Sequence, residues 1–203
     1  MKEIKMKKVL LALFTLALCF SSLFANEAAV KQIILRNAKL TSEGKREGLL
    51  SNYTKDYIEI DLDSDEKISY NDMQLIGKAL DGKHPEEFMI IAFEMENERK
   101  PNAEEMKALR EMINNDEFKK EYSNICKQMI EITKKSGALQ LKTMKFITVS
   151  VKGSNAVAVI EYEDYDVTDA KKKKVIKKSE TLKLRKVNGV WMFCGASSKK
   201  ISK

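Results

Sequence analysis

The sequence predicts an α+β fold in which N-terminal helices pack on a curved C-terminal antiparallel sheet. Two observations carry this. Apolar residues recur at helical spacing from Glu27 to about Gly137, and beyond Gly137 the spacing switches to alternation in four successive runs. A third, the turn chemistry between those runs, makes them neighbours in a meander.

Residues 1–25 stand apart. Lys2, Lys5, Lys7 and Lys8 lead into the apolar run Val9 to Phe20, followed by Ser21, Ser22, Leu23, Phe24 and Ala25. A basic start, a short hydrophobic middle and a small final residue read as a secretory signal cleaved after Ala25, and the run is too short for a stable membrane span. Cys19 follows the bulky Leu18, whereas lipid attachment favours a small residue there, so Cys19 reads as apolar filler. The expectation is an exported protein, periplasmic or secreted, with no membrane span after cleavage. Such a protein works without cytosolic nucleotide pools.

Residues 26–203 have the size of one domain. The leader carries four lysines and one glutamate, so it holds +3 of the chain's formal net charge of +7 and leaves +4. Much of the basic character is therefore targeting, which argues against a nucleic-acid partner. Cys126 and Cys194 remain; they are open to a bridge or to burial as small hydrophobes. His84 is the single histidine, so a histidine-rich zinc site or a Ser-His-Asp triad has no second histidine to draw on.

Val30, Ile33, Ile34 and Ala38 share one helical face. A second short turn around Leu49, Leu50 and Tyr53 follows the break at Thr41 to Gly44. Tyr57 to Ile60 alternates as a strand and ends at the acidic turn Asp61 to Asp65. Ser69 to Asp72 forms a capping box ahead of Met73, Ile76 and Leu80, with Gly82 as a stop. Pro85 then opens the apolar segment Phe88 to Met95, expected to be a buried helix. Asn102 caps a helix with Met106, Leu109 and Ile113 inward, and Asn114 to Asp116 interrupts it. Phe118, Tyr122, Ile125, Met129 and Ile132 form a narrow stripe expected to pack on the domain's own sheet rather than on a coiled-coil partner.

The strands are expected at Phe146 to Val151, Ala156 to Tyr165, Glu180 to Val187 and Val190 to Cys194. Lys152 to Asn155 makes the first turn, Asp166 to Lys178 a long charged connection. Asn188-Gly189 gives a two-residue hairpin, because both residues accept the positive φ of a type I′ turn.

The two opening helices, the segment Tyr53 to Asp61 and the terminal hairpin Glu180 to Phe193 together resemble the NTF2-like (SnoaL-like) superfamily of cone-shaped α+β domains. The resemblance covers residues 28–76 and 138–198, with a helical insertion near 77–137. It implies a pocket between sheet and helices, in which the family's enzymes place Asp, His, Tyr or Arg. It also implies a homodimer through the sheet. Tyr57, Tyr162 and Trp191 are the candidate ligand-binding residues, against the alternative that each is core or rim.

Asp61 to Asp72 resembles an EF-hand calcium loop: Asp61, Asp63, Asp65, Ser69 and Asp72 occupy loop positions 1, 3, 5, 9 and 12, with Ile68 at the apolar position. Glu66 stands where glycine is needed, Asp72 is shorter than the usual glutamate, and a strand precedes the loop. An acidic turn with Ser69 and Asp72 capping the next helix explains the same residues. Calcium is thus the one candidate cofactor.

Six lysines between Lys171 and Lys178 suit either an anionic surface or protection of a strand edge. Glu161/Glu163 and Asp164/Asp166 share strand faces, but the sequence alone does not place a histidine or lysine beside either pair. No catalytic residue can be named, and no phosphate-binding glycine loop or nucleophile elbow appears.

Three readings follow: a non-enzymatic exported protein binding a small molecule, peptide or envelope component; a small hydrolase, isomerase or dehydratase; and a calcium-stabilised domain. An enzyme should show at least two convergent ionisable groups with perturbed proton affinity in a deep pocket, a binding module an apolar or filled one.

Overall fold

A computed structural model of the chain describes residues 26–166 and 174–201; the expected leader and Lys171 to Lys173 lie outside the described residues. Helix α1 spans 26–43, and its Val30, Ile33, Ile34 and Ala38 are buried, as their spacing requires. The short α2 (Arg46–Leu50) turns the chain into β1 (Ile58–Asp61) and β2 (Lys67–Ser69).

Helices α3 (Tyr70–Ala79), α4 (Pro85–Asn97) and α5 (Ala103–Ile113) follow. Their caps are those the sequence announces. Ser69 and Asp72 form a reciprocal capping box, Asn102 and Glu105 another, and Pro85 occupies the first turn of α4. The apolar α4 differs from expectation: none of its described residues is fully buried, and it packs beside α3 and α5 rather than in the core.

Helix α6 runs from Asp116 to Thr143, capped by Asn115, and passes straight through Gly137 where a break was expected. Its stripe is divided. Tyr122 is buried among helices, its ring against Phe88 and Phe118 and its hydroxyl donating to the Ala79 carbonyl at 2.9 Å, whereas Met129 and Ile132 are exposed. Sheet contact is made to β4.

The C-terminal meander is β3 (Lys145–Lys152), β4 (Asn155–Tyr165), β5 (Val175–Val187) and β6 (Val190–Lys200). Asn188 and Gly189 take positive φ values of 51° and 83°, as the two-residue hairpin demands. Both β5 and β6 are longer than the alternation suggested, since polar residues continue their ladders to Lys178–Lys200.

Among the described residues the sheet has six strands in the order β2-β1-β6-β5-β4-β3. The meander is antiparallel, but β1 joins β6 in parallel, pairing Glu59 with Ala196 and Asp61 with Ser198. Residues 52–54 extend the same edge: the Phe193 amide donates to the Asn52 carbonyl, and the Thr54 amide to the Phe193 carbonyl. The core lies between α1 and the inner face of β4, β5 and β6, and includes Ala158, Ile160, Leu182, Leu184 and Phe193. Cys126 and Cys194 are free thiols, the first buried in α6 and the second half-buried on β6. Among the described residues no helix is long and apolar enough to cross a membrane.

Candidate functional site

A partly enclosed cavity of about 80 Å³ opens between α1, the C-terminal part of α6 and the inner face of the sheet. One water needs on the order of 10–15 Å³ by a comparable measure, so the space suits a few waters or a very small ligand. Strands β1, β4, β5 and β6 each contribute side chains because alternate residues face inward. Glu59 comes from β1, Ile160 and Tyr162 from β4, Glu180 and Leu182 from β5, and Phe193 from β6. Asn37, Ala38 and Thr41 on α1, with Gln140 on α6 and Met144 just after it, close the other side.

The two carboxylates dominate its electrostatics. Burial raises the proton affinity of Glu180, and the Glu59 charge raises it further; Tyr162 and Lys178 oppose this, and the carboxyl is pushed up to about 7. Glu59 is also raised, mainly by burial, although the Tyr57 hydroxyl donates to its Oε2 at 3.2 Å and Lys178 acts in the same direction. Burial likewise pushes the hydroxyls of Tyr53, Tyr57 and Tyr162 up, so all three stay protonated donors.

Lys178 does not line the cavity. Its ammonium lies 4.0 Å from Asp164, which also accepts from Ser136 and Gln140. Tyr53 is fixed from the helix side: the Asn37 side-chain amide donates to its hydroxyl at 2.7 Å, and the Asn52 side-chain amide donates to Asn37 Oδ1 at 3.1 Å. Its ring meets Tyr57 edge-on and stacks on Phe193, with centroids 4.6 and 5.0 Å apart.

Of the three expected ligand-binding residues, Tyr57 and Tyr162 line this cavity. Trp191 does not: it is buried elsewhere in the core, under the Lys186 ammonium, with its indole N–H unpartnered. Hairpin geometry sets it there, since Trp191 stands close to the β5–β6 turn opposite Lys186.

The acidic loop does not close around a common centre. Asp61 Oδ1 accepts the Asp63 and Ser64 amides, Asp63 Oδ2 accepts the Lys200 amide, and Asp72 is held by the Ser69 amide and hydroxyl. Asp65 takes a left-handed φ of 59° in the turn between β1 and β2, and Ser69 serves as the α3 cap. Among the described residues no three His, Cys, Asp or Glu side chains are grouped to hold a metal ion. In this arrangement the residues that resemble a calcium loop serve a strand turn and a helix cap.

Glu59 and Glu180 were not singled out from the sequence, yet a signal was present. Glu180 is in phase with buried Leu182 and Leu184, and Glu59 with buried Tyr57; a carboxylate in the inward phase of a strand is the mark of a polar pocket. A larger groove of about 590 Å³ lies beside Thr54, Tyr70 and Met192, but it is open, and its Asp56 and Arg185 neutralise each other at 2.9 Å.

No protein-family model and no curated protein matches the sequence. Among solved structures, the chain is similar to an NTF2-like protein with a cystatin-like fold from Novosphingobium aromaticivorans, at 10% identity and TM-score 0.49 over 93% of this chain and 90% of that one. It is similar to an NTF2-like protein of unknown function from Silicibacter pomeroyi, at 11% identity and TM-score 0.45 over 86% of this chain and 94% of that one. A ketosteroid isomerase-like protein from Erwinia carotovora atroseptica has 10% identity and TM-score 0.44, covering 87% and 96%. These likenesses concern the α+β arrangement and extend to no ligand or activity.

Proposed function

We propose that this chain is an exported small-ligand-binding domain whose ligand occupies the cavity between α1, α6 and the sheet. Export is supported by the basic and apolar leader of residues 2–25. Binding is supported chiefly by one observation: Glu59, Glu180, Tyr162, Asn37 and Gln140 converge, from four different elements plus α6, on a space that their own packing leaves open. A core serving stability alone would fill it with apolar side chains, since buried polar groups cost free energy unless partnered.

The test is a fragment screen followed by NMR, with Ala38→Met as the filled control, because a flexible methionine from α1 enters the cavity with little strain. Polar fragments are expected to shift resonances of Asn37 and Tyr162 in the wild type and not in the filled variant. Equal binding by both proteins, or no binding by the wild type, rejects the reading.

A second reading is favoured by a specific feature. Two ionisable groups with raised proton affinity face one cavity, as an acid/base enzyme requires, and Glu180 is poised near neutral pH. On this reading Glu180 exchanges a proton with a small bound substrate while Tyr57 or Tyr162 donates to a developing oxyanion. A turnover whose pH profile bends near 7 and vanishes in Glu180→Gln supports it; turnover undiminished in that variant rejects it.

A further inference from the structure

We propose that the cavity selects a small organic cation, an alkylammonium of a few heavy atoms, seated against Glu59 and Glu180. This deepens the binding reading and rests on it.

The charge balance of the lining carries the argument. Among the described residues no Lys, Arg or His lines the cavity, while two carboxylates do. The groups facing Glu180 are Glu59 on β1, Tyr162 and Asp164 on β4 and Lys178 on its own strand; Asp61 adds negative charge beside Glu59. The helices facing them across the cavity contribute only the uncharged Asn37, Thr41, Gln140 and Met144. Among the described residues Lys178 is the cation that acts on both carboxylates, and it is drawn toward Asp164 at 4.0 Å. Two partly buried carboxylates with so little compensation must retain a proton or acquire a positive guest.

An ammonium fits that vacancy chemically. It brings donors only, and the carboxylates offer acceptor oxygens, of which Tyr57 engages one on Glu59 and Tyr162 one on Glu180, leaving the others for the guest. Its alkyl part meets Ile34, Ile160, Leu182 and Phe193, and the flanking tyrosine rings favour a cation electrostatically. An anion would meet like charge, and a neutral alcohol would leave the carboxylates uncompensated. A volume of about 80 Å³ suits an amine of a few heavy atoms.

Uptake of the cation ionises the pair, so a proton leaves as the guest enters. With Glu180 titrating at about 7, affinity should rise on the order of tenfold between pH 6 and pH 8.

Calorimetric titration decides it, using n-propylammonium, 1-propanol and propionate on the full domain at both pH values, in two buffers of different ionisation enthalpy. The variants are Glu180→Gln and Glu59→Gln, close in size to the wild type, with melting curves to verify folding. Propylammonium should bind tightest, release a proton, strengthen with pH and weaken about tenfold or more in either variant. Binding of propanol or propionate as tight as propylammonium and lost on Ala38→Met overturns the cation class and leaves the binding reading standing. Propylammonium binding untouched by both Gln variants overturns the assignment to these carboxylates. Calcium or magnesium displacing propylammonium from the cavity also overturns it. No heat and no resonance shift with any of the probes or screened fragments rejects both readings.

Discussion

Gly137 on α6 lies directly against Ser42 at the end of α1: a Cβ built on Gly137 would stand 2.6 Å from the Ser42 amide nitrogen and 2.9 Å from the Thr41 carbonyl carbon. Those neighbours are backbone and cannot rotate away. The contact therefore sets how closely the two cavity-lining helices approach, since Thr41 and Gln140 stand within a turn of it on either side.

Gly137→Ala should accordingly push α6 off α1 and destabilise the domain by about 1–3 kcal/mol, an overpacking cost that outweighs alanine's better helix propensity of about 1 kcal/mol. Thermal unfolding measures it as a fall of several degrees. A melting temperature equal to or above the wild type would show that the helices separate freely.

Stability should fall as pH rises from about 4.5 through 7. Glu180 has a folded-state affinity for protons above its unfolded one, so its contribution is fully present below the unfolded pKa and is lost as pH rises through the folded pKa. A carboxyl moved from 4.5 to about 7 corresponds to roughly 3 kcal/mol at the alkaline end. Glu59 acts in the same direction. Denaturant unfolding of Glu180→Gln should flatten the decline and make the variant more stable than wild type at pH 8. An unchanged slope between pH 5 and 8 would assign the pH dependence elsewhere.

Calcium should leave the melting temperature unchanged, and so should a chelator, because Asp61, Asp63 and Asp72 already accept backbone amides. Asp61→Asn keeps an acceptor for the Asp63 amide and should be nearly neutral. A calcium-dependent rise, reversed by chelation and absent in Asp61→Asn, would restore the metal reading.

Ser69→Ala should cost about 1 kcal/mol, the usual size of a lost helix cap. The Ser69 hydroxyl accepts the Asp72 amide at 3.2 Å and contacts the Asp72 carboxylate at 2.7 Å, which holds that carboxyl below its ordinary range. This interaction strengthens above the unfolded carboxyl pKa and is lost as pH falls through the depressed folded one. Guanidinium unfolding at pH 7 and at pH 3 should show a smaller difference between wild type and variant at the lower pH.

What was legible in the sequence was local. The buried face of α1 follows from Val30, Ile33, Ile34 and Ala38, and the β5–β6 hairpin from Asn188 and Gly189, because helical spacing and turn chemistry need only near neighbours. The parallel pairing of β1 with β6 was not legible, since nothing in Ile58 to Asp61 names a partner near residue 197. The cavity suffered likewise: Tyr57 and Tyr162 stand out as aromatic residues in alternating runs, but Glu59 and Glu180 meet only once that long-range pairing is known. Gly137 marked the limit of the helical spacing because a change of period is visible locally, while a backbone passing beside it is not. Trp191 drew attention by its size, and its nearness to the hairpin tip placed it away from the pocket.

The union of residues 59–61 with 196–198 also fixes when this molecule becomes competent. A ribosome has released nearly the entire polypeptide before the β1–β2 hairpin that seats Glu59 can join the meander. A nascent or truncated product ending before β6 would carry every cavity-lining residue except Phe193 and still own no cavity, so a premature stop there is as damaging as one at the beginning.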